Sequence, residues 1–203
     1  MTMLRTILFD LGNVLVYFSH DRMCHQIGEV LGRSGADVRR MLIDSGWMWD
    51  FERGRLSERD LIHLLERELS AAIDPQAVAT ASSDIFTLNE PMLPVLQLLK
   101  EQGLRLVLLS NTSPWHVDWV RRNWPVLDPF DELVLSYQVG AIKPEAPAYE
   151  AALQAIRCRP DECFYTDDVP KYVARGREFG LHAEVFTDAD SLRGYLRPHG
   201  ITV

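Results

Sequence analysis

Arg5-Thr-Ile-Leu-Phe-Asp-Leu-Gly-Asn-Val-Leu15 is the stretch from which the rest of the chain can be read. Ile7, Leu8 and Phe9 make a short apolar run that stops at Asp10, with Gly12 and Asn13 following at once. An apolar run bounded by turn residues predicts a strand buried on both faces, as in a parallel sheet. Asp10 then stands at the carboxyl end of the strand, the edge where open α/β sheets place their ligands. On this stretch alone, a capping carboxylate and a chemically active one are equally good readings. Three later segments separate them.

From Pro91 onward the pattern is helix and strand in alternation. Leu104–Leu109 is a near-continuous apolar strand that stops at Ser110-Asn-Thr-Ser-Pro114. Leu133–Leu135 is a third strand, followed by Gly140-Ala-Ile-Lys-Pro144. Cys163–Thr166 is a fourth, ending in Asp167-Asp168, and a last strand lies near Ala183–Phe186. Helices fall between them, from Pro91 to Gly103, Pro114 to Asn123, Pro147 to Ile156, and from Asp168 to Gly180. The expected class is therefore α/β, a Rossmann-like parallel sheet with helices on both faces.

Between the first strand and Pro91 the pattern is helical. Met23, Ile27, Val30 and Leu31 recur behind a Ser19 cap and end at Gly32, and a short helix follows from Ser34. Ser57-Glu-Arg-Asp60 resembles a capping box ahead of Leu61, Leu64, Leu65 and Leu69, and a further helix spans Pro75 to Phe86. The expected organisation is a core of residues 1–16 and 89–203 with an inserted helical unit of residues 17–88. Within the insertion, Trp47, Trp49 and Phe51 read as bundle core or as an aromatic loop touching substrate, with Glu52 and Arg53 as polar handles.

The 203 residues, 47% hydrophobic and 25% charged, suit one globular unit with a substantial core. A net charge of −8 and the lack of a Lys/Arg run argue against a nucleic-acid surface. Cys24, Cys158 and Cys163 have no metal-ligand spacing and suggest reduced, buried thiols. No signal segment and no membrane-length apolar run is present, so a soluble cytoplasmic protein is expected, monomer or dimer.

A parallel sheet brings the distant strand ends together along one edge: Asp10 from the first, Ser110 and Asn111 from the second, Lys143 after the third, Asp167 and Asp168 from the fourth. Carboxylates facing one another call for a cation between them, and Mg2+ with its hard oxygen ligands fits. A lysine and a hydroxyl beside them suit an anionic group, and a helix starts just after Ser110. That combination favours phosphoryl transfer over proton transfer.

The four segments, DLGNVL, LLSNTS (Leu108–Ser113), KPEAPAYE (Lys143–Glu150) and FYTDDVPKYVARGREFG (Phe164–Gly180), resemble the haloacid dehalogenase superfamily of aspartate-nucleophile hydrolases end to end. The likeness is greatest to the branch with a helical cap after the first strand, which includes bacterial sugar-phosphate phosphatases with a DLGNV opening. The resemblance implies a Mg2+-dependent phosphatase of a small phosphorylated metabolite. Asp10 would be the nucleophile that forms an aspartyl-phosphate, and Ser110 with Asn111 would bind the phosphoryl oxygens. Lys143 would neutralise the phosphate and orient Asp10. Asp10, Asp168 and the carbonyl of Gly12 would hold Mg2+, with Asp167 behind them or fixing Lys143. Residues 17–88 would be the cap.

Two positions depart from the family pattern. The residue two after the nucleophile, commonly an aspartate acting as acid and base, is Gly12, and the position four beyond Asp168 is Tyr172. His116, near the start of the helix after Ser110, reads as a surface or capping residue, or as a substrate contact or substitute acid. The competing functions are a 2-haloacid dehalogenase and a weakly active binding or regulatory protein.

Overall fold

Thr6–Phe9 forms β1, with all four residues buried, at the centre of a five-stranded sheet in the computed structural model, which describes residues 3–203. The chain runs on through β2 (Val16–Tyr17), α1 (His20–Leu31), α2 (Gly35–Arg39), a π-helical turn at Arg40–Asp44, α3 (Trp47–Glu52), α4 (Glu58–Leu69), α5 (Pro75–Ser83) and β3 (Thr87–Leu88). Then come α6 (Met92–Glu101), β4 (Arg105–Ser110), α7 (Pro114–Asn123), β5 (Glu132–Leu135), α8 (Ser136–Val139), α9 (Ala146–Ile156), β6 (Cys163–Asp167), α10 (Pro170–Glu178), β7 (His182–Val185) and α11 (Ala189–Leu196).

The sheet order is β5-β4-β1-β6-β7, and every pairing is parallel. Ile7 lies opposite Leu106 on one side and Phe164 on the other. Strand alternation divides the core in two. Ile7, Phe9, Leu106, Leu108 and Phe164 pack with apolar residues of α6, α7, α11 and the helical segment. Leu8, Val107, Leu109 and Tyr165 pack with Tyr149 and Ala152 of α9 and Val173 of α10. Helices thus cover both faces, as the near-continuous apolar strands require.

β2 and β3 pair antiparallel, Val16 opposite Leu88 and Tyr17 opposite Thr87, and α1–α5 lie between them. The ribbon is too short to show an alternating pattern and is absent from the sequence-based expectation. Ser19, Ser34 and Ser57 cap α1, α2 and α4 through their side chains, and the latter two form full capping boxes. α5 stops at Ser83, three residues short of the expected Phe86, because Ile85 and Phe86 already lead into β3. The Trp47–Glu52 stretch is a helix, α3, and α11 is an element the sequence pattern had not suggested.

The helical segment meets the sheet unit closely at Gly54. Its φ is +68°, and a Cβ there would lie 2.2 Å from the Tyr137 carbonyl oxygen. Beside it, Arg53 pairs with Glu145 at 2.6 Å, and Glu145 also accepts the Ile142 N–H. All three cysteines are free thiols; Cys24 and Cys163 are buried and Cys158 is partly so. Among the described residues no helix is long and apolar enough to cross a membrane.

Candidate active site

Strand geometry delivers the acidic groups. β1 hands over to Asp10, whose N–H donates to the Thr166 carbonyl of the neighbouring strand, so the ends of β1 and β6 are tied together. β6 ends in Asp167, and Asp168 lies one residue beyond it. Carboxylate oxygens of Asp10, Asp167 and Asp168 all fall within 4.8 Å of one another.

Lys143 sits between two of them. Its Nζ lies 2.7 Å from Asp10 Oδ1 and 2.6 Å from Asp167 Oδ2, and the side chain is 1% exposed. Burial works to lower its pKa, but the two carboxylates outweigh burial and the net shift is upward. The ammonium therefore persists at any physiological pH. Asn111 seats the Lys143 backbone from both sides: its Nδ2 donates to the Lys143 carbonyl at 3.1 Å, and its Oδ1 accepts the Lys143 N–H at 2.7 Å. Both ends of that amide are thereby engaged in placing the lysine.

The adjacent aspartates have different surroundings. Asp167 is fully buried, and besides Lys143 it accepts the Tyr165 hydroxyl at 2.6 Å and the Val169 N–H at 2.8 Å. Asp168 is half-buried, lines the pocket, and accepts a 2.9 Å bond from Asn13 Nδ2. Asn13 holds φ +54°, the left-handed region that asparagine tolerates better than most residues. Its contact to Asp168 went unforeseen, although an asparagine right after Gly12 was the available signal.

Asp10 is pushed up to about 7, first by burial; Lys143 opposes the rise and Asp167 adds to it. Burial also raises Asp168, with the Asn13 hydrogen bond acting against it.

Asp10, Asn13, Asn111, Lys143 and Asp168 floor a cavity of about 230 Å3 that also takes in Gly12, Ser110 and Thr112, with Asp167 behind it. Phe18, Trp49 and Phe86, with Leu11 and Val169, make the apolar part of the wall, and His20, Glu52, His116 and Tyr172 bring polar groups to it. Of the three aromatics in α3, Trp49 alone lines this cavity. Phe51 is buried against Trp115 at 4.9 Å, and Trp47 packs against the core cluster. A Cβ on Gly12 would lie 2.7 Å from Phe18 Cε1, so the space a side chain would need is already filled by that ring.

His116 is buried, not a surface residue. Its Nε2 lies 3.2 Å from the Ser82 carbonyl, which can only accept, so the ring hydrogen resides on Nε2. Burial lowers its pKa to about 4, partly offset by the Ser82 bond, and the ring is neutral near pH 7. The substitute-acid reading of His116 loses its basis: the one ring proton is already committed to Ser82. Sequence reading gave Glu52 only as a polar handle. It is 5% exposed in total, lines the cavity, and has a pKa raised to about 7 by burial, against the pull of Arg53 and Lys143 and with the push of Asp10.

Comparison with known proteins agrees with this arrangement. The family model for haloacid dehalogenase-like hydrolases matches residues 4–180. D-ribitol-5-phosphate phosphatase from Bacteroides thetaiotaomicron is 30% identical over 194 residues, covering 88% of this chain and 90% of that protein. A predicted HAD-like family hydrolase from Porphyromonas gingivalis superposes with a TM-score of 0.83 at 26% identity, over 97% of this chain and 98% of that one. A HAD family enzyme from Bacteroides thetaiotaomicron, in complex with magnesium and inorganic phosphate, shares the fold with a TM-score of 0.82 at 22% identity, over 92% and 96% of the two chains.

Proposed function

Because the chain belongs to the haloacid dehalogenase-like hydrolases, we propose that it is a Mg2+-dependent phosphatase of a small phosphorylated metabolite, working through an aspartyl-phosphate on Asp10. One observation carries the reading: Asp10 opens on a small cavity, is held 2.7 Å from a buried lysine, and has two more carboxylates within metal-binding reach.

Charge balance supports a cation. Three carboxylates and one ammonium leave the site negative before any phosphate arrives. A phosphate monoester entering there needs further positive charge. The donor set of Asp10, Asp168 and the Gly12 carbonyl is all oxygen and suits Mg2+. When bound, the ion neutralises phosphoryl oxygens and makes phosphorus more electrophilic. The same excess of carboxylates disfavours a 2-haloacid dehalogenase, whose attack on carbon needs no cation and draws no benefit from Asp168 at the cavity wall.

The protein's own groups then divide the work. Asp10 attacks phosphorus. Lys143, tethered by Asp167 and Asn111, fixes the attacking carboxylate and balances charge on the phosphoryl oxygens. The Ser110 hydroxyl donates to one of those oxygens. Residues 17–88 act as a cap, with Trp49, Phe18 and Phe86 excluding water and selecting the substrate. The cavity's size and mixed wall suit a sugar or polyol phosphate, the class that the D-ribitol-5-phosphate phosphatase relative is named for.

The test is turnover of sugar, polyol and aryl phosphates with Mg2+ and with a chelator. Phosphate release that requires Mg2+ and disappears in Asp10→Asn is the expected result. Metal-independent release, or release by a folded Asp10→Asn protein, would overturn the assignment.

A further inference from the structure

Phosphate-ester hydrolysis requires two proton transfers that the groups assigned above do not provide. The departing alcohol oxygen must gain a proton, and the attacking water must lose one. Asp10 is taken up as the nucleophile, Asp168 would hold the metal, and Asp167 is consumed by Lys143, Tyr165 and Val169. Gly12 has no side chain, and Phe18 occupies the space one would take. His116 is neutral, with its N–H on Ser82.

One carboxyl is left. Glu52 ends α3, so the helical segment carries it to the cavity opposite the sheet edge. It is 95% buried as a residue, yet among the described residues no hydrogen bond or ion pair engages its carboxyl. Neither of its oxygens is sealed off without a partner, as Gln26 Oε1 and His199 Nδ1 are. A buried, unpartnered carboxyl open only to a ligand cavity is costly to keep. Nothing in the packing of α3 calls for it, since Trp47, Met48 and Phe51 supply that helix's contacts to the apolar core.

We propose that the Glu52 carboxyl is the general acid and base of the reaction, placed on the cap where the alcohol half of the substrate must lie. The inference rests on the phosphatase reading above. In the first half-reaction the Asp10 oxygen bonds to phosphorus and the ester P–O bond breaks. Its electron pair goes to the alcohol oxygen, which takes the Glu52 proton. In the second, a water oxygen bonds to phosphorus and passes a proton to the Glu52 carboxylate. The P–O bond to Asp10 breaks, releasing inorganic phosphate and restoring both carboxyl groups.

The groups around Glu52 suit both halves. Arg53 on its own segment and Lys143 across the cavity favour the carboxylate; burial and Asp10 favour the acid. Asp168, Tyr172, His20 and His116 complete the polar wall. A pKa of about 7 makes either form accessible near neutrality, the condition under which a single group can both give and take a proton.

The test compares Glu52→Gln with wild type on an alkyl phosphate and on a 4-nitrophenyl phosphate, whose leaving oxygen needs no proton. Loss of about 100-fold or more in kcat for the alkyl ester, with less than about 5-fold loss in the aryl half-reaction followed as the nitrophenolate burst, is expected from the usual weight of general acid catalysis. Affinity for Mg2+ and for inorganic phosphate, measured by calorimetry, should stay at the wild-type level. A second variant, Glu52→Ala, should regain alkyl-ester turnover when acetate is added. Equal losses in the alkyl-ester kcat and in the aryl burst, a change confined to KM, loss of phosphate binding, or no acetate rescue would each overturn the proposal. Wild-type protein that hydrolyses neither ester would overturn the phosphatase reading itself, and so the two failures are distinguishable.

Discussion

Replacing Asp10 with asparagine should make the metal-free protein more stable while abolishing turnover. Burial raises the Asp10 carboxyl to about 7, against an ordinary value of 3.8, with Lys143 recovering part of the cost and Asp167 adding to it. A folded-state pKa above the unfolded one means that the group's contribution is fully present below the unfolded value. It is lost as pH rises through the folded value. Ionised Asp10 therefore weighs against folding increasingly between 3.8 and about 7, and by a constant amount above that. At about 1.4 kcal/mol per unit, the cost near pH 8 is on the order of 4 kcal/mol. Asparagine keeps the shape without the charge, and Lys143 retains Asp167 as its partner. For a chain of this size a gain of that order raises Tm by roughly 8–16 °C. Scanning calorimetry in chelator near pH 8 and again near pH 5 is the assay. The gap should narrow at the lower pH, where wild-type Asp10 takes up its proton, and Mg2+ should raise the Tm of wild type more than that of the variant. A variant that melts at or below wild type near pH 8, or a gap that widens on acidification, would refute the reasoning.

Other substitutions have equally definite outcomes. Asp168→Ala should weaken Mg2+ binding by at least about 10-fold in a calorimetric titration, while Asp167→Ala should affect it less. Asp167→Ala should instead lower the unfolding free energy by about 1–3 kcal/mol in a urea melt, because the Tyr165 hydroxyl and the Val169 N–H lose their acceptor while Lys143 keeps Asp10. Gly12→Asp should destabilise by about 1–3 kcal/mol, since its Cβ meets the Phe18 ring, and Phe18→Ala in the same chain should relieve most of that. Arg53→Ala removes the contact to Glu145 beside Lys143, and limited proteolysis should then cut faster within residues 45–57.

The middle of the sheet was legible because β1, β4 and β6 are almost wholly buried and end at or beside a residue of the candidate site. Ile7-Leu8-Phe9 before Asp10 is the clearest case, and the serine caps marked the helices of the insertion equally well. α11 was missed despite a readable signal, Leu192 and Leu196 one turn apart behind Asp188. The candidate site was legible as a set of residue types at strand ends, not as a division of labour. Asp167 and Asp168 are identical in sequence terms. The last position of β6 faces inward with Tyr165, and the next one opens on the cavity. Asn111 read as a phosphate ligand because its tie to the Lys143 backbone spans 32 residues, beyond any local pattern. Glu52 was hidden for a related reason: the burial of a glutamate at the end of an aromatic run depends on what the helical segment is packed against.

The central claim is covalent phosphoryl transfer to Asp10, and one measurement addresses it directly. The Mg2+-loaded protein is mixed with a phosphate ester labelled in its phosphoryl group, quenched in acid during turnover, and digested for peptide mass mapping. The account predicts label on the peptide containing Asp10, formed only with Mg2+ and absent from Asp10→Asn. Turnover of the ester with no label on that peptide, or label elsewhere in the chain, would contradict it.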